Sequence, residues 1–378
     1  MKLRIVSSKS NLALAAVPAR PSPTSWVCRI GLAFALLAVM VAADVSAEAS
    51  APEADQGEVW VTSQGTDRIF ILGGRQGQGG IETVELPAGT GPHIITFSPA
   101  GEFAYVSGMG NGDLSIVRAD DRQLVATLDV ANAGTHQAKP SPDGSVLLVA
   151  QIATQSLIKV AADAPEAWTV AGKLFFGEHG TTPICTVFRD DGQRAYVSLL
   201  PSGIAIVDVP TMEVLDTLPT DGFVACGMVA AKDGRSIVVA SSGGGGHISR
   251  LDTTTDALID AGTLGAADWH SLNVSANGDV GFGSSPGSDE LILVDLGEPS
   301  ASLIATLSLD PTPGTGNDQP DAIAVRGDAV YVTLRASGKL AIVTANRRTV
   351  TYVDLSPPAP FNPVNCAGCA LHGVTVRP

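Results

Sequence analysis

Asn365-Cys366-Ala367-Gly368-Cys369-Ala370-Leu371-His372-Gly373-Val374-Thr375-Val376-Arg377-Pro378 closes the chain. Its second half reads as a strand that begins near His372 and stops where comparable strands upstream turn round. Val374-Thr375-Val376-Arg377-Pro378 aligns with Ile95-Thr96-Phe97-Ser98-Pro99. There the pattern continues through a turn into a second strand, and here it does not. An unpaired strand exposes a row of N–H and C=O groups, so this one is expected to pair with a segment far upstream.

The upstream pattern is a repeat. Pro92-His93-Ile94-Ile95-Thr96-Phe97-Ser98-Pro99-Ala100-Gly101 and His136-Gln137-Ala138-Lys139-Pro140-Ser141-Pro142-Asp143-Gly144 each read as a short strand followed by a Ser-Pro-x-Gly turn. Proline presets the first bend and glycine takes the position of positive φ. Second strands follow at Ala104-Tyr105-Val106-Ser107, Ala195-Tyr196-Val197-Ser198 and Val330-Tyr331-Val332-Thr333. Third strands fall near residues 68, 114, 156, 204, 247, 291 and 340, and a more polar fourth closes each unit, as in Val125-Ala126-Thr127-Leu128. Four strands at a period of 42 to 49 residues predict an all-β fold, a β-propeller. Seven third strands but six complete units are present. The piece Val59-Trp60-Val61-Thr62 and Arg68-Ile69-Phe70-Ile71 lacks a first strand, and the strand from His372 lacks the other three. Joined, they make a seventh blade and close the ring over residues 59–378.

The Ser-Pro-Asp-Gly turn at Ser141 to Gly144 and the Tyr-Val-Ser/Thr strands resemble the YVTN family of seven-bladed propellers, over essentially the whole chain after residue 47. In the broader group the chain is similar to lactonase-type propellers and to the haem d1-binding domain of cytochrome cd1 nitrite reductase. That resemblance implies a ligand or catalytic site in the funnel over the central channel.

The mean hydropathy of +0.24 suggests a membrane protein, but the apolar residues are spread in short runs rather than in spans of about 20. One segment differs. Lys2, Arg4, Lys9, Arg20 and Arg29 precede the apolar run Ile30 to Ala43 and then Val45-Ser46-Ala47. This is the layout of a secretory signal over residues 1–47. A short linker, 48–58, would follow, with no membrane span in the mature chain and a periplasmic or extracellular address. Cleavage removes five positive charges and one negative, taking the formal net charge from -15 to -19. Such a surface repels phosphate backbones and disfavours nucleic acid as a partner.

Registering the blades on the second strand locates a candidate site. Twelve residues before Tyr105, Leu148, Tyr196, Val238 and Phe282 stand His93, His136, Ile184, Cys226 and His270. Matching Pro320-Asp321 to Pro92-His93 adds Asp321, and the closing strand adds His372. In a blade this residue opens the innermost strand and faces the funnel. Six of seven such positions can bind a metal, and four of the six histidines in the chain are among them. His179, in a loop before a first strand, and His247, after Gly243-Gly244-Gly245-Gly246, are expected on the same face.

Imidazole with thiolate suits copper, zinc or iron rather than calcium or magnesium, and the exported address favours copper, then zinc. Cys366-x-x-Cys369-x-x-His372 is not a c-type haem site, because Ala370 stands where Cys-x-x-Cys-His needs histidine. Two readings of Cys366 and Cys369 stand: thiolate ligands beside His372, or a disulfide fastening the loop. Cys226 reads as a ligand, a thiol or a partner of Cys185, which is one step off the funnel register and expected to be buried. The first functional reading is thus a small molecule or metal in the funnel, with His93, His136, His270 and His372 as main ligands and redox chemistry as the extension. A metal-free lactonase-like hydrolase with Asp321 as acid or base is the alternative, as is a non-enzymatic scaffold for a partner or tetrapyrrole.

Overall fold

The structure, a computed structural model, describes residues 57–73, 80–131, 133–164, 166–243, 245–265, 269–297, 300–311, 318–346, 348–355 and 370–378. The candidate signal and residues 48–56 lie outside the described residues, as do Cys366 and Cys369.

The described residues form 28 strands in seven four-stranded antiparallel sheets, with one short 3-10 turn, Gly177–His179. In six sheets the strands follow chain order from the inside outward. Their first strands are Pro92–Phe97, Thr135–Pro140, Thr182–Phe188, Val224–Ala230, Ser271–Val274 and Pro320–Arg326, opening blades 1 to 6. The seventh sheet joins Leu371–Val376 to Val59–Ser63, Arg68–Leu72 and Ile81–Glu85. Each first strand neighbours the next around the whole circle, so the seven sheets are the blades of a closed propeller. The expected closure is present, in the register Val59↔Val376, Trp60↔Thr375 and Val61↔Val374.

Sequence explains the layering. Second and third strands are largely apolar and buried from end to end, as in Val59–Ser63 and Leu114 to Val117, because both faces of every sheet are covered. Fourth strands such as Glu213–Leu218 face solvent and are largely exposed. The core is accordingly divided into seven apolar clusters, one in each gap between neighbouring blades. Trp60, Ile69 and Ile71 of blade 7 meet Ile95, Phe97 and Ala104 of blade 1. Val59, Val61 and Phe70 meet Tyr331 and Leu340 of blade 6 on the other side. The Ser-Pro-x-Gly turns have the geometry their residues dictate, with Gly101 at φ 72 and Gly144 at φ 74, each donating its N–H back to the serine carbonyl.

Polar contacts lock the closure. Gly373 N donates to the buried Thr62 hydroxyl at 2.7 Å, and Arg377 N donates to Glu58 O at 2.9 Å. The Arg377 guanidinium reaches Glu58, Asp120 and the Gly101 carbonyl, tying blade 7 to the turns of blade 1. Arg122 lies over the Trp60 ring, 5.2 Å from its centroid, between Glu58 and Glu82. Removing Leu371–Pro378 should therefore abolish the cooperative urea transition followed by tryptophan fluorescence; a transition of unchanged midpoint and sharpness would contradict the closure. Thr62→Val, which leaves buried partners unpaired, should lower the unfolding free energy by about 1–3 kcal/mol.

Candidate functional site

A β-bulge aims every site residue but His270. In blade 1, Pro92 pairs with Gly108 and Ile95 with Val106, so the first strand carries one extra residue between them, where His93 sits. The same irregularity falls at His136, at Ile184 and Cys185, at Cys226, at Asp321 and at His372. Bulges bend a strand and redirect a side chain, and here six of the seven first strands use one at the equivalent place. His270 differs: it stands one residue before its strand and donates its backbone N–H to Ser284 O at 2.9 Å.

A second device fixes the backbone of these residues. At four joints a fully buried serine or threonine of the second strand donates its hydroxyl to a carbonyl of the next blade, whereas Ser198 donates to Cys185 O of its own blade. Thr62 holds His93 O at 2.6 Å, Ser107 holds His136 O at 2.7 Å and Thr333 holds His372 O at 2.8 Å. Ser284 holds Asp321 O. Each hydroxyl also accepts an N–H from its own blade's first strand, as from Ile94 to Ser107 at 2.9 Å and from Ala322 to Thr333 at 3.0 Å. Ala240 occupies the corresponding place before His270, whose side chain is correspondingly the most open of the group at 45% exposure. Gly373 lets the closing strand pass close to blade 1, since a Cβ there would lie 2.6 Å from His93 O.

His93, His136, His270, Asp321 and His372 line one cavity of about 270 Å3 at the hub. Asp321 bridges two imidazoles: His270 Nδ1 is 2.7 Å from Oδ1 and His372 Nδ1 is 2.8 Å from Oδ2. The second contact is close but off the line of a good hydrogen bond, which leaves Oδ2 without a well-directed donor. Arg335 stands further off, 3.8 Å from Oδ2, and spends Nε and Nη2 on Gln319. His136 Nδ1 lies 2.8 Å from Ile184 O, an acceptor that makes Nδ1 the protonated nitrogen. The His93 ring packs between the other two, at centroid distances of 4.2 Å to His372 and 4.8 Å to His136. His93 is 9% exposed and its Nδ1 is buried with no hydrogen-bond partner.

Burial, reinforced by His136 and His372, holds His93 well below the usual histidine range. Burial also pushes His136 down to about 4, against the pull of the Ile184 carbonyl. For His270 burial is overcome by the contact with Asp321, and its pKa is raised. Burial alone would raise Asp321, but His270 and His372 overcome that too and hold its carboxyl well below the ordinary carboxylate range. At neutral pH the hub therefore presents two neutral imidazoles beside an ionised carboxylate and a histidine biased toward its cation.

The remaining predicted residues stand elsewhere. His247 lies in a separate cleft, stacked on Phe223 at 5.1 Å, with Nε2 3.3 Å from Asp260. The His179 backbone ends the turn Gly177–His179, and that of Cys226 lies at the bulge of Val224–Ala230. Cys185 is a correction: it is partly exposed and lines the hub cavity, because the bulge turns two successive residues toward the channel. Sequence reasoning passed over the clamping hydroxyls, Arg335 and Lys139. The clamps had a visible signal, a Ser or Thr two residues after the position used to register the blades. Among the described residues no three His, Cys, Asp or Glu side chains already surround one metal position.

The shifts set a pH dependence for chelator-treated protein. His93 and His136 bind protons less readily folded than unfolded, so stability present above the unfolded value near 6.5 is lost as pH falls toward about 4. The His270 contribution has the opposite sign: it is complete below 6.5 and lost on going alkaline. The melting temperature should fall between pH 6.5 and about 4.5, and His136→Gln should flatten that fall; a wild-type curve that is level there would contradict the assigned environments.

No protein-family model matches this chain, and no curated protein matches it. Solved structures do share its fold. Hydrazine synthase of Kuenenia stuttgartiensis is similar at a TM-score of 0.58 and 17% identity, covering 69% of this chain and 78% of that one. The Cps50 (Swd1) β-propeller domain of Myceliophteria thermophila is similar at a TM-score of 0.62 and 12% identity, covering 78% of this chain and 91% of that one. At these identities the likeness extends to the propeller fold alone.

Proposed function

We propose that the chain is an exported propeller of the YVTN type that binds a transition metal, copper in preference to zinc, through His93, His136, His270 and His372. The observation that carries this reading is the state of the Nδ1 atoms. His270 Nδ1 is engaged by Asp321 and His136 Nδ1 by the Ile184 carbonyl, with His372 Nδ1 turned toward Asp321 as well, and a histidine whose Nδ1–H is held offers Nε2 as its donor. The fourth ring, His93, keeps a buried nitrogen without a partner, which a neutral imidazole retains at a cost unless something binds it. The donor set fits a borderline or soft ion. Since the donors do not already surround one point, binding asks the rings to turn about their side-chain bonds. Asp321 is then a positioning residue rather than a ligand, holding His270 and His372 and balancing the cation's charge. A metal held there would supply Lewis acidity or electron transfer, and the signal-like segment before Glu48 supports a periplasmic or extracellular site of action.

The Asp321 bridge favours a second reading, a lactonase-like hydrolase without metal. A carboxylate that orients an imidazole prepares it to accept a proton from water. Turnover of a lactone panel in the presence of chelator would select it.

Chelated protein titrated with copper(II) should take up one equivalent, and His93→Ala and His372→Ala should abolish that uptake. Asp321→Asn should weaken it by about 10–100-fold, the usual effect of removing a carboxylate behind a metal-bound histidine. Protein from its native compartment with no stoichiometric transition metal, and no uptake in titration, would overturn the metal reading.

A further inference from the structure

The hub cavity continues past the histidines along the first strands, where Thr96, Gln137, Lys139, Cys185, Met228 and Asn273 line it. Most polar side chains there are committed to the backbone: Thr96 donates to Ala138 O, Gln137 accepts from Thr186 N and Asn273 donates to Ile323 O. Lys139 is different. It lies three residues from His136 on the same strand, about 10 Å along the channel. In a chain with 38 acidic residues, its amine has no carboxylate or other hydrogen-bond acceptor as partner among the described residues, and Cys185 is the titratable group that acts on it. The Lys139 side chain is partly exposed and lines the cavity, so the amine is open to a molecule that enters the channel.

We propose that Lys139 is a covalent binding site for small carbonyl compounds, aldehydes and 2-oxo acids, which enter past the exposed His270 and condense with its amine inside the channel. The geometry supplies a nucleophile in a confined cavity, large enough for a molecule of a few heavy atoms, with imidazoles along the entry path. Burial lowers the Lys139 pKa, opposed by Cys185, and so enlarges the fraction present as free amine. The nitrogen lone pair attacks the carbonyl carbon while the C=O π pair moves to oxygen, and proton transfer from nitrogen to oxygen gives the carbinolamine. Expulsion of that oxygen as water, carrying both protons lost from nitrogen, leaves the C=N bond. The step consumes no oxidant or reductant and requires no metal, so it stands apart from the metal reading.

The test uses the full mature chain in EDTA at pH 7, with glyoxylate as probe, sodium cyanoborohydride as trap and peptide mass spectrometry as readout. Reduction of the imine leaves a carboxymethyl group on the lysine that formed it. Lys139 should be labelled at least about tenfold faster than the exposed Lys173 and Lys232, as a tenfold larger free-amine fraction would produce. The advantage should vanish in urea, and Lys139→Arg should leave the other sites unchanged. Labelling of Lys139 no faster than that of Lys173 and Lys232 would overturn the proposal, and this wild-type comparison decides the matter even if Lys139→Arg does not fold.

Discussion

At four of the seven blade joints a buried hydroxyl carries much of this structure. Thr62, Ser107, Ser284 and Thr333 each accept an N–H from their own blade's first strand and donate to the carbonyl of a site residue in the next blade. The interaction is made where water is absent, so either partner left alone carries the full desolvation cost. It therefore fixes the offset between adjacent blades, which apolar packing, being non-directional, does not fix by itself. Because the bonded carbonyl belongs to His93, His136, Asp321 or His372, the bond that sets the ring also sets the backbone from which the site projects. Fold and site share their constraint.

The architecture was legible because its signals are local. Ser-Pro-x-Gly turns, short apolar strands and polar fourth strands each follow from a few adjacent residues, and their regular spacing exposed both the repeat and the incomplete blade that Leu371–Val376 completes. The spacing also brought five polar residues into one cavity. It worked because the same bulge recurs at the same register, although nothing in the one-dimensional pattern announced a bulge. The details that were not legible depend on partners distant in the chain. The register marks Asp321 as a funnel residue, but its contacts with both His270 and His372 join residues from three blades. His247 shares a chemical type with the other histidines but stacks on Phe223, a choice made by blade packing. Cys185 was expected to be buried, and the bulge turns it toward the channel instead.

The electrostatics of the hub follow from this placement. Four imidazoles from four blades face one carboxylate, and burial keeps His93 and His136 neutral while the carboxylate stays ionised. Such a centre is poised to receive positive charge, as a proton on His270 or as a cation among the rings. The channel beyond it changes character, from imidazole to a single amine and thiol at Lys139 and Cys185. A molecule entering from the His270 side would meet these two chemistries in sequence.

Closure of the ring by Leu371–Val376 builds the histidine cluster. Nuclear Overhauser spectroscopy on metal-free protein labelled in its histidine rings tests this most directly. His93 and His372 lie far apart in the sequence, and closure of the propeller brings their rings to a centroid distance of 4.2 Å. Cross-peaks between the ring protons of His93 and His372, and between those of His93 and His136, are the predicted result. Their absence in folded protein, with the resonances assigned, would contradict the account.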